Sequence, residues 1–272
     1  GIIDLAGLPK DSYYMYQSEW TKKPVLHLFP HWNWLPGQQI DMWCYYNQAD
    51  EVELFINGKS QGIRKKKVHG EGNEGKAHAN AANAGAFDRS TEYHVMWRVN
   101  FEPGEVKVVA RKQGREISSQ TIKTAGPPHH LVLKKTYQNT LASAVQTPSG
   151  VPADLQSGTP SGVPADLQSA VKKGSTSVPG DLQSPTSPTS PTTFVEVNVV
   201  DKDGNLCPNA ENEIYFSSTA EILGTDNGNQ TSLERFTDPK RKAFFGKCII
   251  VLRGHGTLRA ESIDLQQATI QL

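Results

Sequence analysis

The chain has 272 residues, 36% hydrophobic and 21% charged, and its 28 Lys and Arg balance its 28 Asp and Glu. A neutral chain lacks the basic footprint of a nucleic-acid binder. It contains no run of eighteen apolar residues that would mark a membrane span. This length suits one or two domains.

Residues 1–10, "GIIDLAGLPK", lack the charged start and long apolar stretch of a signal peptide. "KDSYYMYQSEW" then runs without Gly or Pro and predicts a helix of about ten residues, with Pro9 in its first turn. Tyr13, Tyr16, Gln17 and Trp20 recur at one-face spacing. So short a helix is marginal alone in water and needs a partner surface. From Val25 the texture turns to short alternating or β-branched runs: "VLHLF", "QIDMWCYY", "EVELFIN", "YHVMWRV", "EVKVVARK" and "REISSQTIKT". Turn signals separate them, and Asn57-Gly58 is a strong two-residue hairpin cue. Such spacing over roughly one hundred residues predicts an immunoglobulin-like sandwich. The Gly-, Ala- and Asn-rich stretch 70–90 reads as a long surface loop, or partly a short irregular helix, between two strands. Its neighbourhood carries His69 and His78, which have no third ligand at metal spacing and read as solvated.

After "GPP" at 126–128 a strand-like run "HHLVLKKTYQ" begins, and then the hydrophobic pattern stops. "SGVPADLQS" is spelled at Ser149 and again at Ser161, and a worn copy, "TSVPGDLQS", starts at Thr176. Residues 140–193 carry no aromatic until Phe194 and are rich in Ser, Thr, Pro and Gly. Such a segment buries too little apolar surface to offset ordering its backbone, about 1–2 kcal/mol per residue. It reads as a disordered insert, since one Leu and one Val per repeat give a solenoid little to stack. From Phe194 strict alternation returns in "FVEVNVVDKDGN". "EIYFSS", "AEILGTDNG", "RKAFFGKCIIVLR", "GTLRAESI" and "ATIQL" follow. With the run at 130–136 these make about seven strands, enough for a second sandwich split by its own insert.

Several of these stretches resemble a known family. "GIIDLAGLPKDSYYMYQSEW" is similar to the last helix-bearing segment of the catalytic barrel in family 2 glycoside hydrolases, above all the β-galactosidase-like members of Bacteroidetes type. "VLHLFPHWNWLPGQQIDMWCYYNQADEVELFINGKSQG" resembles the module after that barrel, and "AEILGTDNGNQTSLERF" with "RKAFFGKCIIVLR" resembles the final immunoglobulin-like module. The resemblance covers roughly 1–139 and 194–272 and departs from the family at the repeats. It implies an all-β chain of two immunoglobulin-like β-sandwiches in tandem, with a short N-terminal helix left over from a TIM barrel and a long disordered insert. The implied division is 1–23 for the end of the barrel, 24–126 for the first sandwich, and 127–272 for the second, interrupted at 140–193. Loop entropy permits such an insert, because each doubling of a loop costs only about 0.6 kcal/mol. The resemblance also implies that the catalytic glutamates lie in the barrel, that this barrel is the chain's partner, and that the parent is a periplasmic or secreted bacterial enzyme. No cofactor is implied.

The residues support no catalytic site of their own. Retaining glycoside hydrolysis needs two carboxylates about 5–5.5 Å apart across the sugar. The acids here, Asp50, Glu51 and Glu53 among them, sit beside turns or on alternating outward positions and read as solvated faces. "DKDGN" at 201–205 lacks the other ligands of a calcium loop and reads as a β-turn. Cys44, Cys207 and Cys248 are an odd set without C-x-x-C spacing, which leaves buried thiols or one Cys207–Cys248 disulfide open. "PHWNW" is the one candidate binding cluster. Aromatic rings stack on apolar sugar faces, so His31, Trp32 and Trp34 are candidate carbohydrate-binding residues. The competing reading is that the tryptophans pack a seam between domains. If the segment is a strand, positions 32 and 34 point to one side.

Overall fold

The computed structural model describes residues 1–67, 89–139 and 190–272. His69, His78, nearly all of the stretch 70–90 and the three repeats lie outside these residues, as does nearly all of the segment read as an insert. Helix α1 (Asp11–Trp20) forms over the predicted stretch. Asp11 in its first turn suits the positive end of the helix dipole. Thr21 stops the helix, turning both its N–H and its hydroxyl onto the Gln17 carbonyl at 3.2 and 2.8 Å. Pro9 is not in the first turn. It lies opposite Ile3 in a tight hairpin over 2–10, where its missing N–H is not needed. In that hairpin Lys10 N–H donates to Ile2 O at 3.0 Å and Leu8 N–H donates to Asp4 Oδ1 at 2.8 Å.

The first sandwich contains β1 (Leu26–Phe29), β2 (Gln39–Tyr46), β3 (Glu51–Ile56), β4 (Lys59–Arg64), β5 (Val95–Asn100), β6 (Glu105–Lys112) and β7 (Arg115–Lys123). One sheet has the order β1-β2-β5 and the other β4-β3-β6-β7, all pairs antiparallel. Asn57 and Gly58 form the hairpin turn between β3 and β4, both with positive φ. The core follows period-2 alternation. Ile40, Met42 and Cys44 from β2 meet Val52, Leu54 and Ile56 from β3 and Val106 and Val108 from β6.

The second sandwich contains β8 (His130–Asn139), β9 (Thr192–Val200), β10 (Glu213–Ser218), β11 (Glu221–Asp226), β12 (Lys240–Lys242), β13 (Lys247–Arg253), β14 (Thr257–Ser262) and β15 (Ala268–Gln271). Its sheets run β11-β13-β9-β8 and β12-β10-β14-β15. Val195, Val197, Val199, Ile250 and Leu252 from one sheet pack on Ile214, Phe216, Leu258 and Ala260 from the other. Eight strands are described here rather than seven, because "RKAFFGKCIIVLR" is two strands. Phe245 and Gly246 take φ of 50° and 73°, and Phe244 and Lys247 exchange both backbone hydrogen bonds around them. The chain thereby leaves one sheet and enters the other. Strand β9 also claims Thr192 and Thr193, with Thr193 fully buried, so the insert stops two residues earlier than the composition suggests.

The all-β expectation holds. The disulfide left open in the sequence is not formed: Cys44, Cys207 and Cys248 are all buried free thiols. Burial raises the pKa of each, that of Cys207 to about 11, so they stay protonated core residues.

Candidate functional site

The candidate residues His31, Trp32 and Trp34 lie between β1 and β2 in a loop, not in a strand, so the same-side argument from alternation does not apply. The loop leaves β1 through a cis Phe29–Pro30 bond. Trp32 is 0% exposed. Its Nε1–H donates to Glu102 O at 3.0 Å, and its ring meets Phe101 edge-on at 5.0 Å. It therefore packs the core of the first sandwich, not a seam between domains, and has no face to offer a sugar. Asn33 ties the loop to the end of the sandwich, donating to Ala125 O at 2.8 Å and accepting from Ala125 N–H at 2.9 Å. Trp34 is partly buried against the same core, donates from Nε1 to His31 O at 2.8 Å, and stacks on the His31 ring at 4.4 Å. Burial lowers the His31 pKa, which favours the neutral ring. The structure thus brings His31 and Trp34 together and sends Trp32 inward.

A longer aromatic row, which the strand reading passed over, lies on the other face of the β1-β2-β5 sheet. The antiparallel register sets Phe29 opposite Trp43 and His27 opposite Tyr45. Phe29 and Tyr45 are 4.8 Å apart, and the His94 ring lies 4.2 Å from Trp43. Helix α1 covers one end of this row. Tyr14 stacks on His27 at 3.8 Å, and Asp11 Oδ1 meets His27 Nε2 at 2.8 Å. Burial first, then the charges of Tyr13, Asp11 and Glu196, raise the Tyr14 pKa. The signal was present in the sequence: "LHLF" and "MWCYY" are apolar or aromatic at both alternating sets of positions, the pattern of strands covered on both faces.

The helix divides its aromatics. Its buried residue is Ser18, while Trp20 is 76% exposed and rests on Tyr16 at 4.6 Å. The face predicted from spacing to need a partner is therefore not the face that meets the sandwich.

Several of the partly buried carboxylates are set against cations. Asp41 binds Arg98 through two hydrogen bonds of 2.6 and 2.8 Å, Glu53 binds Arg111 at 2.6 Å, and Glu196 binds Lys247 at 2.8 Å. The hydrogen bond from Arg98 lowers the Asp41 pKa, and those from Lys240 and Tyr215 lower that of Glu213. A general acid needs the opposite shift. Among the described residues no three His, Cys, Asp or Glu side chains gather as a metal site.

Asp201 is the most connected of the acids, and the turn "DKDGN" is built around it. It is 2% exposed. Oδ1 accepts from the N–H of Asp203 and of Asn205 at 2.9 and 2.8 Å, and Oδ2 accepts from Gly126 N–H at 2.9 Å and Asn205 Nδ2 at 3.0 Å. Burial opposes its charge. The hydrogen bonds from the Asn205 side chain and from the Gly126, Asn205 and Asp203 backbones outweigh that and bring its pKa down to about 2. Because Gly126 belongs to the link between the sandwiches, this carboxylate fastens the link to the second one.

Two family models match the chain: a domain of unknown function, DUF4982, over residues 37–118, and glycoside hydrolase family 2 C-terminal domain 5 over 186–271. The chain is 43% identical over 279 aligned positions to the β-galactosidase BoGH2A of Bacteroides ovatus, an alignment that takes in 100% of this chain and 25% of that protein. Among solved structures it is similar to a β-glycosidase from Bacteroides vulgatus, with 27% identity and a TM-score of 0.69, over 100% of this chain and 27% of that one. A glycosyl hydrolase family 2 member from Bacteroides cellulosilyticus shares the fold with a TM-score of 0.66 at 22% identity, over 100% of this chain and 32% of that one. The chain thus spans about a quarter to a third of the length of these proteins. With both sandwiches aligned and the final one matched by the family's own model, the chain belongs to the C-terminal region of glycoside hydrolase family 2.

Proposed function

We propose that this chain is the non-catalytic accessory part of a β-galactosidase-like family 2 glycoside hydrolase. In this reading it supports the catalytic barrel of the parent and helps to shape the substrate cleft. The observation that carries the reading is the alignment of the whole chain with one quarter of a β-galactosidase. The Tyr16–Trp20 pair of α1 supports it, since a helix of ten residues that turns Trp20, 76% exposed, outward suits packing against a larger body. So does the pairing of the partly buried acids with cations. Residues 1–23 are then the end of the barrel, and hydrolysis of terminal β-galactosides belongs to the parent. The test is direct: the purified chain is incubated with an aryl β-galactoside. No turnover is expected, and turnover abolished by changing one of its own acidic side chains refutes the reading.

Carbohydrate binding by this chain is the second reading, and the stacked His31–Trp34 pair favours it. Calorimetric titration with β-galactosyl oligosaccharides tests it. Binding that is lost in Trp34→Ala supports a sugar platform there, and no binding rejects it.

A further inference from the structure

The loop 227–239, between β11 and β12, is held with unusual firmness for an exposed segment. Arg241 is 1% exposed, and its guanidinium serves the loop. Nη2 donates to Thr225 O at 2.6 Å and Arg235 O at 2.9 Å, and Nη1 donates to Glu234 O at 3.3 Å. Phe236 lies over the guanidinium at 5.5 Å. Asn227 Nδ2 donates to Lys242 O at 2.9 Å, and Lys242 N–H donates to Glu234 Oε1 at 3.0 Å. Held in this way, the loop turns Leu233, 99% exposed, and Phe236, 58% exposed, to solvent. A single exposed Leu needs no explanation. Two large apolar side chains on a backbone fixed by a buried arginine are a pre-organised contact surface.

The base of the loop meets the N-terminal hairpin. Gly228 is buried with φ of 76°, and a β-carbon there would stand 2.2 Å from Asp4 Oδ2. Asp4 in turn fastens the 2–10 hairpin through Leu8 N–H. Residues 2–10 immediately precede α1. If α1 is the last outer helix of a (β/α)8 barrel, the segment before it is a βα-loop, and in that fold βα-loops build the active-site face. The Asp4–Gly228 contact then brings the loop of the last sandwich back to the catalytic face.

We propose that Leu233 and Phe236 contact the saccharide on the far side of the bond that the parent cleaves, and so set its preference for extended substrates. The inference rests on the reading of residues 1–23 as the end of the barrel. The occupant is a sugar ring: the Phe236 ring suits the C–H face of a pyranose, and the amide of Gln230, on the exposed rim of the same loop, is a partner for hydroxyls.

The experiment uses the full-length parent as wild type, Leu233→Ala, Phe236→Ala and Phe236→Tyr. KM and kcat are measured on β-galactosyl fluoride, whose single-atom leaving group reaches no loop, and on a β-galactosyl-terminated tetrasaccharide. The expected result is a rise in KM of about 3- to 10-fold for the tetrasaccharide in both alanine variants, with the fluoride unchanged and Phe236→Tyr near wild type. Leu233→Ala removes a side chain with almost no contacts, so it keeps the test valid if Phe236→Ala does not fold. No change on either substrate overturns the inference. So does an equal change on both, which makes the loop a support for the barrel, and so does a wild type that cleaves the fluoride alone. A wild type that cleaves neither substrate refutes the accessory reading itself and takes the inference with it.

Discussion

Trp32 and Trp34 are two residues apart and have different work. Trp32 fills the first core with its indole N–H satisfied by Glu102 O, so truncation leaves a cavity and removes a buried hydrogen bond. Trp32→Ala is expected to cost about 3–5 kcal/mol in urea unfolding of the chain. Trp34→Ala removes a half-buried ring stacked on His31, and its cost in the same measurement is expected to be clearly smaller. Asp201 makes the pH argument. Its folded pKa of about 2 lies below the ordinary carboxylate value of about 3.9, so the unfolded chain takes up its proton first as pH falls. Its stabilisation is full above pH about 5, declines through pH 3.9, and is lost as pH falls through about 2. Asp201→Asn is therefore expected to unfold at lower urea than wild type at pH 7, with the gap closing toward pH 2.

At the scale of elements, two short connections do the directing. The turn at Phe245-Gly246 carries the chain from one sheet of the second sandwich to the other. A β-carbon on Gly246 would sit 2.3 Å from Cys207 O, at a φ of 73° that side chains rarely adopt. Gly246→Ala is expected to destabilise by more than about 1 kcal/mol, read as a lower urea midpoint with an unchanged slope. The loop 227–239 depends on the Arg241 guanidinium. Arg241→Met keeps an apolar stem but leaves the carbonyls of Thr225 and Arg235 without that donor. Hydrogen exchange is expected to speed up across 227–239 while the amides of β13 and β9 keep their protection. Uniform loss of protection in both would mean that Arg241 holds the sandwich and not the loop.

At the scale of the molecule, the described residues 1–67, 89–138 and 192–272 form one compact unit containing both sandwiches, the helix and the N-terminal hairpin. The hairpin reaches the second sandwich through Asp4 and Gly228, and the helix reaches the first through Tyr14 and His27. Strand β9 completes the second sandwich from beyond the repeats. Replacing residues 141–190 by a short Gly-Ser linker is expected to leave Tm within a few degrees, because closing a loop costs little more when the loop is long. A larger fall in Tm would make the repeats part of the fold.

Alternation in "FVEVNVV" and "EVELFIN", with the Asn57-Gly58 turn, was sufficient to read the strands, since period-2 burial is a local property of a sheet residue. The helix was legible because a run without Gly or Pro is likewise a local property. The sequence could not distribute the partners. Which face of α1 meets protein, whether Trp32 or Trp34 turns inward, and where "RKAFFGKCIIVLR" changes sheet all depend on residues tens of positions away. So do the aromatic row from Tyr14 to His94 and the seating of Gly228 on Asp4. Local pattern fixes which backbone a segment adopts, while long-range packing decides which of its side chains remain available to act.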